Sequence, residues 1–247
     1  MSKVYFDEKI AGTYDQDSRF MFDPEVLDPA VEFLASLASG GSVLEFGIGT
    51  GRVAVPLVER GLRVHGIDIS MVMLDQLRKK PGSEQISTTV GSFASAKIHT
   101  TFTLVYLVYN TITNLTSQEE QIACFQNAAD HLEPGGQFVI ELFVPRLRDL
   151  ASGERVKPFH IGENHFGFDE YADFSNQILY SHHYWNDKGT FRSFSAPYRW
   201  VWPSELDLMA RLAGMSLKVR YGGWGREPFT DQSLSHVSVW TKKGGGT

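Results

Sequence analysis

The chain has little of what a disulfide-stabilised, nucleic-acid-binding or membrane-spanning protein needs. Its 247 residues include one cysteine, Cys124, so no disulfide can form within the chain. The net charge is −6 and there is no stripe of Lys and Arg, which argues against a nucleic-acid partner because such a partner requires concentrated positive charge. No apolar run reaches the length of a membrane span, and the first residues lack the apolar segment of a signal peptide. These absences predict a cytoplasmic protein without a membrane partner.

A glycine-rich stretch near residue 50 is the most informative part of the chain. Residues 42–46 have the pattern of a short buried strand, and Gly47, Gly49 and Gly51 then lead into a helical pattern. Glycines permit positive φ angles and close approach of a ligand, while the start of the helix directs unpaired N–H groups into the same space. This loop is therefore expected to hold a small molecule; a strand-to-helix turn without a ligand is the alternative.

Two charged residues flank these glycines. Glu45 places a negative charge where a cationic amine or sulfonium would be stabilised, and Arg52 is available for a carboxylate. Arg52 also occupies the position where a nicotinamide-dinucleotide loop has its third glycine. The pattern Glu-x-Gly-x-Gly-x-Gly resembles motif I of the class I S-adenosylmethionine (SAM)-dependent methyltransferases. The resemblance implies SAM as cofactor, S-adenosylhomocysteine as product, and a Rossmann-like, doubly wound seven-stranded α/β sheet whose last strand is antiparallel.

An acidic residue follows the next strand pattern. Residues 62–68 read as a strand that ends in Asp68, and ligands of open α/β sheets lie at the carboxyl ends of strands. Asp68 is thus expected to face the same crevice as the glycine loop. The alternative role for Asp68 is to cap the next helix. Nucleotide dehydrogenases also have an acidic residue close to this position, so Asp68 does not distinguish them from methyltransferases. By resemblance to motif II, Asp68 accepts hydrogen bonds from the ribose, and Ile69 and Met73 flank the adenine.

The third strand pattern ends in Gly91-Ser92-Phe93, where the family commonly has Gly-Asp. The Ser92 hydroxyl or the Phe93 N–H can still bind the adenine edge, but without a charged acceptor the bond is weaker. Leu107, near the end of the fourth strand pattern, completes the predicted cofactor contacts.

Residues 102–116 resemble motif IV, whose carboxyl end borders the reactive methyl group. The stretch contains neither the (Asp/Asn)-Pro-Pro-(Tyr/Phe) sequence of amino-methyltransferases acting on adenine or glutamine nor a Pro-Cys nucleophile. Tyr109 is a candidate catalytic residue and Asn114 a candidate substrate contact, although strand-end and turn chemistry explain both. Tyr14, in an aromatic N-terminal segment that the resemblance folds over the cofactor, is a candidate for cofactor contact and catalysis; core packing is its alternative.

The strand–helix alternation stops after residue 145. Residues 146–202 predict an antiparallel β insert, while 1–145 and 203–243 form the SAM-binding core and 244–247 a disordered tail. Similar inserts in the sugar N,N-dimethyltransferases of bacterial natural-product pathways imply a roof over the substrate and a possible homodimer contact. Strand alternation puts His182 on one face and His183 and Trp185 on the other. His182 is a candidate base, and His183 and Trp185 are candidate substrate contacts, with ordinary strand positions as the alternative.

The function that follows is methyl transfer from SAM to nitrogen or oxygen of a small molecule, and the resemblance implies a setting in secondary metabolism. In-line displacement at a sulfonium carbon needs alignment and desolvation, and no metal is predicted. An amine can arrive deprotonated, whereas a hydroxyl requires a base such as Tyr14, Tyr109, His182 or His183. A nucleotide-dependent oxidoreductase and a non-catalytic SAM-binding subunit are the alternatives.

Overall fold

The computed structural model describes residues 8–187 and 189–244. The helices of this part are α1 (Glu8–Asp17), α2 (Pro24–Ala38), α3 (Ala54–Glu59), α4 (Met71–Leu77), α5 (Gln118–His131) and α6 (Pro203–Leu212). Its strands are β1 (Ser42–Phe46), β2 (Arg63–Asp68), β3 (Ser87–Val90), β4 (Phe102–Leu107), β5 (Leu132–Phe143), β6 (Val156–Ile161), β7 (His165–Asp173), β8 (Ile178–Asp187), β9 (Thr190–Arg199), β10 (Met215–Tyr221) and β11 (Ser235–Lys242). None of the described helices has the length and apolar character required to cross a bilayer.

Seven strands form one sheet in the order β10-β11-β5-β4-β1-β2-β3. The pairs β1–β2, β1–β4, β2–β3 and β4–β5 are parallel, and β11 runs antiparallel to both β5 and β10. The predicted doubly wound sheet with an antiparallel last strand is therefore confirmed.

Apolar side chains fill both faces of this sheet. Helices α2, α3 and α4 pack with Leu104 and Val139 on one face, and α5 and α6 pack with Phe138 and Trp240 on the other. The central strands are almost continuously apolar because each face is covered by helices. Burying a side chain such as Phe138 contributes about 1.5–3 kcal/mol, so the sheet holds the loops at its carboxyl edge on a rigid base.

Local sequence signals set several helix starts. Ser70 caps α4 by accepting a hydrogen bond from Met73 N, and Ser117 caps α5 by accepting one from Glu120 N at 3.1 Å. Strand β5 begins at Leu132 and so includes Pro134-Gly135-Gly136, a sequence that normally forms a turn. A register irregularity against β4 and a positive φ of 81° at Gly135 let the strand include the turn.

Strands β6 to β9 form a separate four-stranded antiparallel sheet within the predicted insert. Strands β8 and β9 pair from Ile178↔Arg199 to Asp187↔Thr190, so a tight hairpin joins them. Of the predicted tail, residues 245–247 lie outside the described residues, as do residues 1–7.

Candidate active site

The glycine loop joins β1 to α3 at the carboxyl edge of the large sheet. Gly47, Gly49 and Gly51 have φ angles of 70°, 54° and 77°, a region that L side chains rarely adopt. A Cβ at Gly47 would lie 2.5 Å from Thr111 Cγ2, and one at Gly51 would overlap Leu77 Cδ1. Alternate glycines are thus required by both backbone conformation and packing.

Asp68 lies beside this loop at the end of β2. Its Oδ2 accepts a hydrogen bond from Gly49 N and its Oδ1 accepts one from Ser70 N, both at 2.8 Å. Burial raises the pKa of the Asp68 carboxyl, while these backbone donors oppose the rise. A carboxylate has about four acceptor positions, so the Asp68 carboxylate can still accept a hydrogen bond from a ribose hydroxyl beside its backbone bonds. Met73 reaches the same loop, because its Cε would lie 3.3 Å from a Cβ at Gly49.

Glu45 lies beneath the loop. Its side chain is 3% exposed and its Oε2 accepts a hydrogen bond from the Tyr106 hydroxyl at 2.7 Å. Burial raises the pKa of Glu45 to about 8, against the lowering effects of the Tyr106 bond and the Arg52 charge. The carboxyl is therefore mainly protonated at neutral pH without a ligand, and a cationic ligand in the cleft would favour its ionised form.

The predicted adenine-binding stretch follows β3. Gly91 N donates to Asp68 O at 2.9 Å, and the Ser92 hydroxyl accepts from Ala94 N at 3.3 Å, so Ser92 begins a turn. The Phe93 ring is buried against Phe46, with 5.9 Å between ring centroids. The part of Phe93 that can face the cleft is thus its backbone. Ile69, which follows Asp68, is half-buried at the same edge.

Leu107 has a different environment from the other predicted cofactor contacts. Its side chain is fully buried in the core cluster that includes Ile140, its partner on β5. Contact between Leu107 and a ligand is therefore limited to its backbone.

Helix α1 packs over the glycine loop. Asp15 accepts a hydrogen bond from Thr50 Oγ1 at 2.6 Å and forms an ion pair with Lys80 at 2.6 Å. Tyr14, on the preceding position, is close enough to Tyr109 and Arg52 for their charges to affect its ionisation. Burial, with the Tyr109 charge next in effect, raises the pKa of Tyr14 to about 12. The structure thus brings Tyr14 to the glycine loop.

The same helix contacts the insert. Arg192 on β9 donates two hydrogen bonds to the Asp17 carboxylate at 2.6 and 2.8 Å, and the Arg192 guanidinium lies 4.2 Å from the Trp185 ring centroid. Asp17 also accepts from Thr13 Oγ1 at 2.8 Å. Helix α1 therefore contacts both the glycine loop of the large sheet and the insert sheet.

The carboxyl end of β4 has an unusual backbone. Tyr109 and Asn110 have φ angles of 52° and 60°, which are uncommon outside glycine and occur often at functional sites. Tyr109 N donates to Glu141 Oε2 at 2.9 Å, and Phe143 N donates to Asn110 Oδ1 at 2.7 Å. Arg52 lies over the Tyr109 ring at 5.6 Å. These contacts join the ends of β4 and β5 next to the glycine loop.

A cavity of about 180 Å³ opens at this junction. Its lining is mainly apolar and includes Phe20, Phe143 and Trp224, with the charged residues Arg52 and Glu141. Phe143, Trp224 and Glu141 are not among the site residues predicted from sequence. A sequence signal for Glu141 was available, because it is a charged residue near the end of an apolar strand. The same reasoning identified Asp68.

Asn114 lies in the short 3₁₀ helix Thr111–Asn114 that follows. Its Nδ2 donates to Thr111 O at 3.0 Å, which is the turn chemistry considered as its alternative role. This bond does not bring Asn114 to Tyr109 or Tyr14, and its role as a substrate contact stays a prediction.

The two adjacent histidines of β8 lie on opposite faces of the insert sheet. His183 shares its face with Trp185 and Arg192, and its Nδ1 lies 3.1 Å from His165 Nε2. Burial, followed by the charge of His165, lowers the pKa of His183 to about 4. This face, through Arg192, is the one that contacts α1.

His182 is on the other face. Its Nδ1 lies 2.8 Å from Ser195 Oγ, and its Nε2 lies 3.2 Å from Glu170 Oε2. His183 and Trp185 therefore lie on the face of the insert that contacts α1 through the Arg192–Asp17 pair, and His182 does not.

Comparison with known proteins decides the family. Residues 43–136 match the family model described as a methyltransferase domain. The cypemycin N-terminal methyltransferase of a Streptomyces species is 30% identical over 241 residues, which cover 95% of this chain and 96% of that protein. The chain belongs to the SAM-dependent methyltransferases.

Solved structures agree with this assignment. The CcbJ methyltransferase from Streptomyces caelestis has 35% identity and a TM-score of 0.80, with 87% of this chain and 88% of that chain covered. SAM-bound CalS10, an amino pentose methyltransferase from Micromonospora echinaspora, shares the fold at 19% identity and a TM-score of 0.70, covering 98% of this chain and 100% of that one. The methyltransferase is thus similar to enzymes of natural-product pathways, as predicted, which favours methyl transfer over nucleotide-dependent oxidation.

Proposed function

We propose that this methyltransferase transfers a methyl group from SAM to an amine nitrogen of a small natural-product acceptor. The observation that carries the proposal is the similarity, over nearly the whole of both chains, to a methyltransferase whose name specifies an N-terminal acceptor. The acceptor would bind at the carboxyl ends of β4 and β5, beneath α1 and the insert.

The residues around the glycine loop fit the cofactor. Gly49 and the Asp68 carboxylate would take the ribose, Met73 and Ile69 the adenine ring, and the backbone at Ser92–Phe93 the adenine edge. Arg52 would take the carboxylate of the methionine portion. When bound there, SAM supplies an electrophilic methyl group on a sulfonium.

The ionisable groups of the cleft suit an amine better than a hydroxyl. Tyr14, with a pKa of about 12, stays protonated at neutral pH and donates a hydrogen bond instead of accepting a proton. His183, with a pKa of about 4, is neutral but weakly basic. An alkyl alcohol would need a stronger base than these, whereas an α-amine with an ordinary pKa of about 8 is partly neutral without help. The catalytic roles of Tyr14, Tyr109 and His182 stay predictions.

Homodimer formation through the insert also stays a prediction. The face of the insert sheet opposite Arg192 carries Phe166, Tyr180, Tyr184 and Phe191, all exposed, with Phe191 at 78%. An exposed aromatic face of this kind is typical of a contact surface.

A product analysis tests the proposal. The purified protein is incubated with methyl-labelled SAM and matched acceptors: peptides with free or acetylated amino termini, amino sugars, and the corresponding hydroxyl sugars. We expect label on free amines and none on acetylated or hydroxyl acceptors. Transfer to hydroxyl acceptors alone would contradict the N-specific proposal, and tight SAM binding without transfer to any acceptor would indicate a non-catalytic subunit.

A further inference from the structure

We infer that Glu141 binds the amine of the acceptor and thereby selects amines as substrates. This inference rests on the proposed amine methylation and names the residue that would confer it. Neither the glycine loop nor the predicted motif IV residues include Glu141.

Glu141 lies near the end of β5, where the parallel strands β4 and β5 present their carboxyl ends to the cleft. Its Oε2 is held by Tyr109 N at 2.9 Å. Among residues 8–187 and 189–244, its Oε1 has no hydrogen-bond or ion-pair partner. The side chain is therefore fixed in direction by one oxygen and has the other available for a ligand.

Glu141 gives this cavity its negative charge. The cavity that it lines is otherwise mainly apolar, with Phe20, Phe143 and Trp224 in its wall. A positively charged group that enters the cavity would be attracted to the Glu141 carboxylate. The other charged residue of the lining, Arg52, lies over the Tyr109 ring and would repel an ammonium group. The amine of an acceptor is thus directed to the Glu141 side of the cavity.

A carboxylate at this place also suits the reaction. A bound ammonium first releases a proton to water, because the nitrogen needs a free electron pair to react. The neutral nitrogen then forms a bond to the methyl carbon while the carbon–sulfur bond breaks and its electron pair stays on sulfur. Positive charge therefore moves to the nitrogen, which afterwards releases a proton to water. Glu141 accepts an N–H hydrogen bond, which orients the nitrogen lone pair and stabilises the growing charge.

Glu141 has a structural role that the experiment must separate from this one. Its bond to Tyr109 N supports the left-handed backbone at the end of β4. The variant Glu141→Gln keeps a carbonyl oxygen for Tyr109 N and removes the negative charge. The bond from Phe143 N to Asn110 Oδ1 supports the same segment independently. Glu133→Gln, at the opposite end of the same strand, is the matched control.

The probe is phenethylamine, a primary amine with an aromatic tail, compared with N-acetylphenethylamine. Calorimetry measures binding of each to the protein saturated with S-adenosylhomocysteine. We expect phenethylamine to bind the unchanged protein and Glu133→Gln with the same affinity. Its affinity for Glu141→Gln should be roughly tenfold lower, and N-acetylphenethylamine should bind none of the three proteins. The affinity for S-adenosylhomocysteine and the melting temperature should be the same in all three proteins, and KM for any amine acceptor should rise more than kcat falls.

Three results would overturn the inference. The first is that Glu141→Gln binds phenethylamine as tightly as the unchanged protein does, and the second is that the unchanged protein binds no amine. The third is that Glu141→Gln also loses affinity for S-adenosylhomocysteine, which would assign the carboxylate to the cofactor. The measurement involves no turnover, so a failure of amine methylation in the product analysis is distinguishable from a failure of amine recognition here.

Discussion

The buried carboxyl of Glu45 predicts that SAM binding is strongly pH-dependent. In the ligand-free protein its pKa of about 8 results from burial, so the group is mainly protonated at neutral pH. A sulfonium and an ammonium placed beside the loop would favour the ionised form, and binding would then release a proton. Affinity should therefore increase as pH rises toward 8 and level off above it, because a carboxyl already ionised has no proton to lose.

The size of the effect follows from that pKa. If the carboxyl ionises fully in the complex, the dissociation constant of SAM falls by roughly 20-fold between about pH 6 and pH 7.5. Incomplete ionisation in the complex makes the change smaller, but its direction stays the same. At about pH 7 close to one proton should be released for each SAM bound.

Calorimetry in buffers of different ionisation enthalpy measures both quantities. Glu45→Gln should abolish the pH dependence and the proton release. Tyr106→Phe should shift the pH dependence to higher pH, because it removes the hydrogen bond that lowers the pKa of Glu45. A pH-independent affinity in the unchanged protein, or the same slope in Glu45→Gln, would refute the assignment of this charge to the cofactor.

Two further variants test the loop and the helix over it. Asp68→Ala should weaken cofactor binding by more than about tenfold, because it removes the predicted ribose acceptor together with the acceptor for Gly49 N. Asp68→Asn keeps one oxygen acceptor and should lose less cofactor affinity. An unchanged affinity in Asp68→Ala would exclude the ribose role. Arg192→Gln should lower the free energy of local opening of α1 by about 1 kcal/mol through loss of the paired Asp17 contacts. Amide hydrogen exchange in α1 should then be about fivefold faster, and unchanged exchange would show that the insert does not hold the helix.

The loop and its acids could be predicted from sequence because their constraints are local. Gly47, Gly49 and Gly51 are required by backbone angles within a few residues, and Asp68 ends a strand whose neighbour in the sheet is set by chain order. Strand alternation likewise determines that His182 and His183 face opposite ways.

Other features depend on contacts that the sequence pattern does not contain. Which face of the insert approaches α1 is set by the Arg192–Asp17 pair, whose members are 175 positions apart. The proximity of Glu141 to Tyr109 requires β5 to lie beside β4, and the left-handed backbone of Tyr109 is stabilised by that contact. The early start of β5 also had no local signal, because Pro-Gly-Gly normally indicates a turn.

Helix α1 contacts the glycine loop through Asp15 and the insert sheet through Asp17, two positions further along. Because both contacts belong to one short helix, a rigid displacement of α1 would change them together, so a substitution that disturbs one end of the helix is expected to be felt at the other.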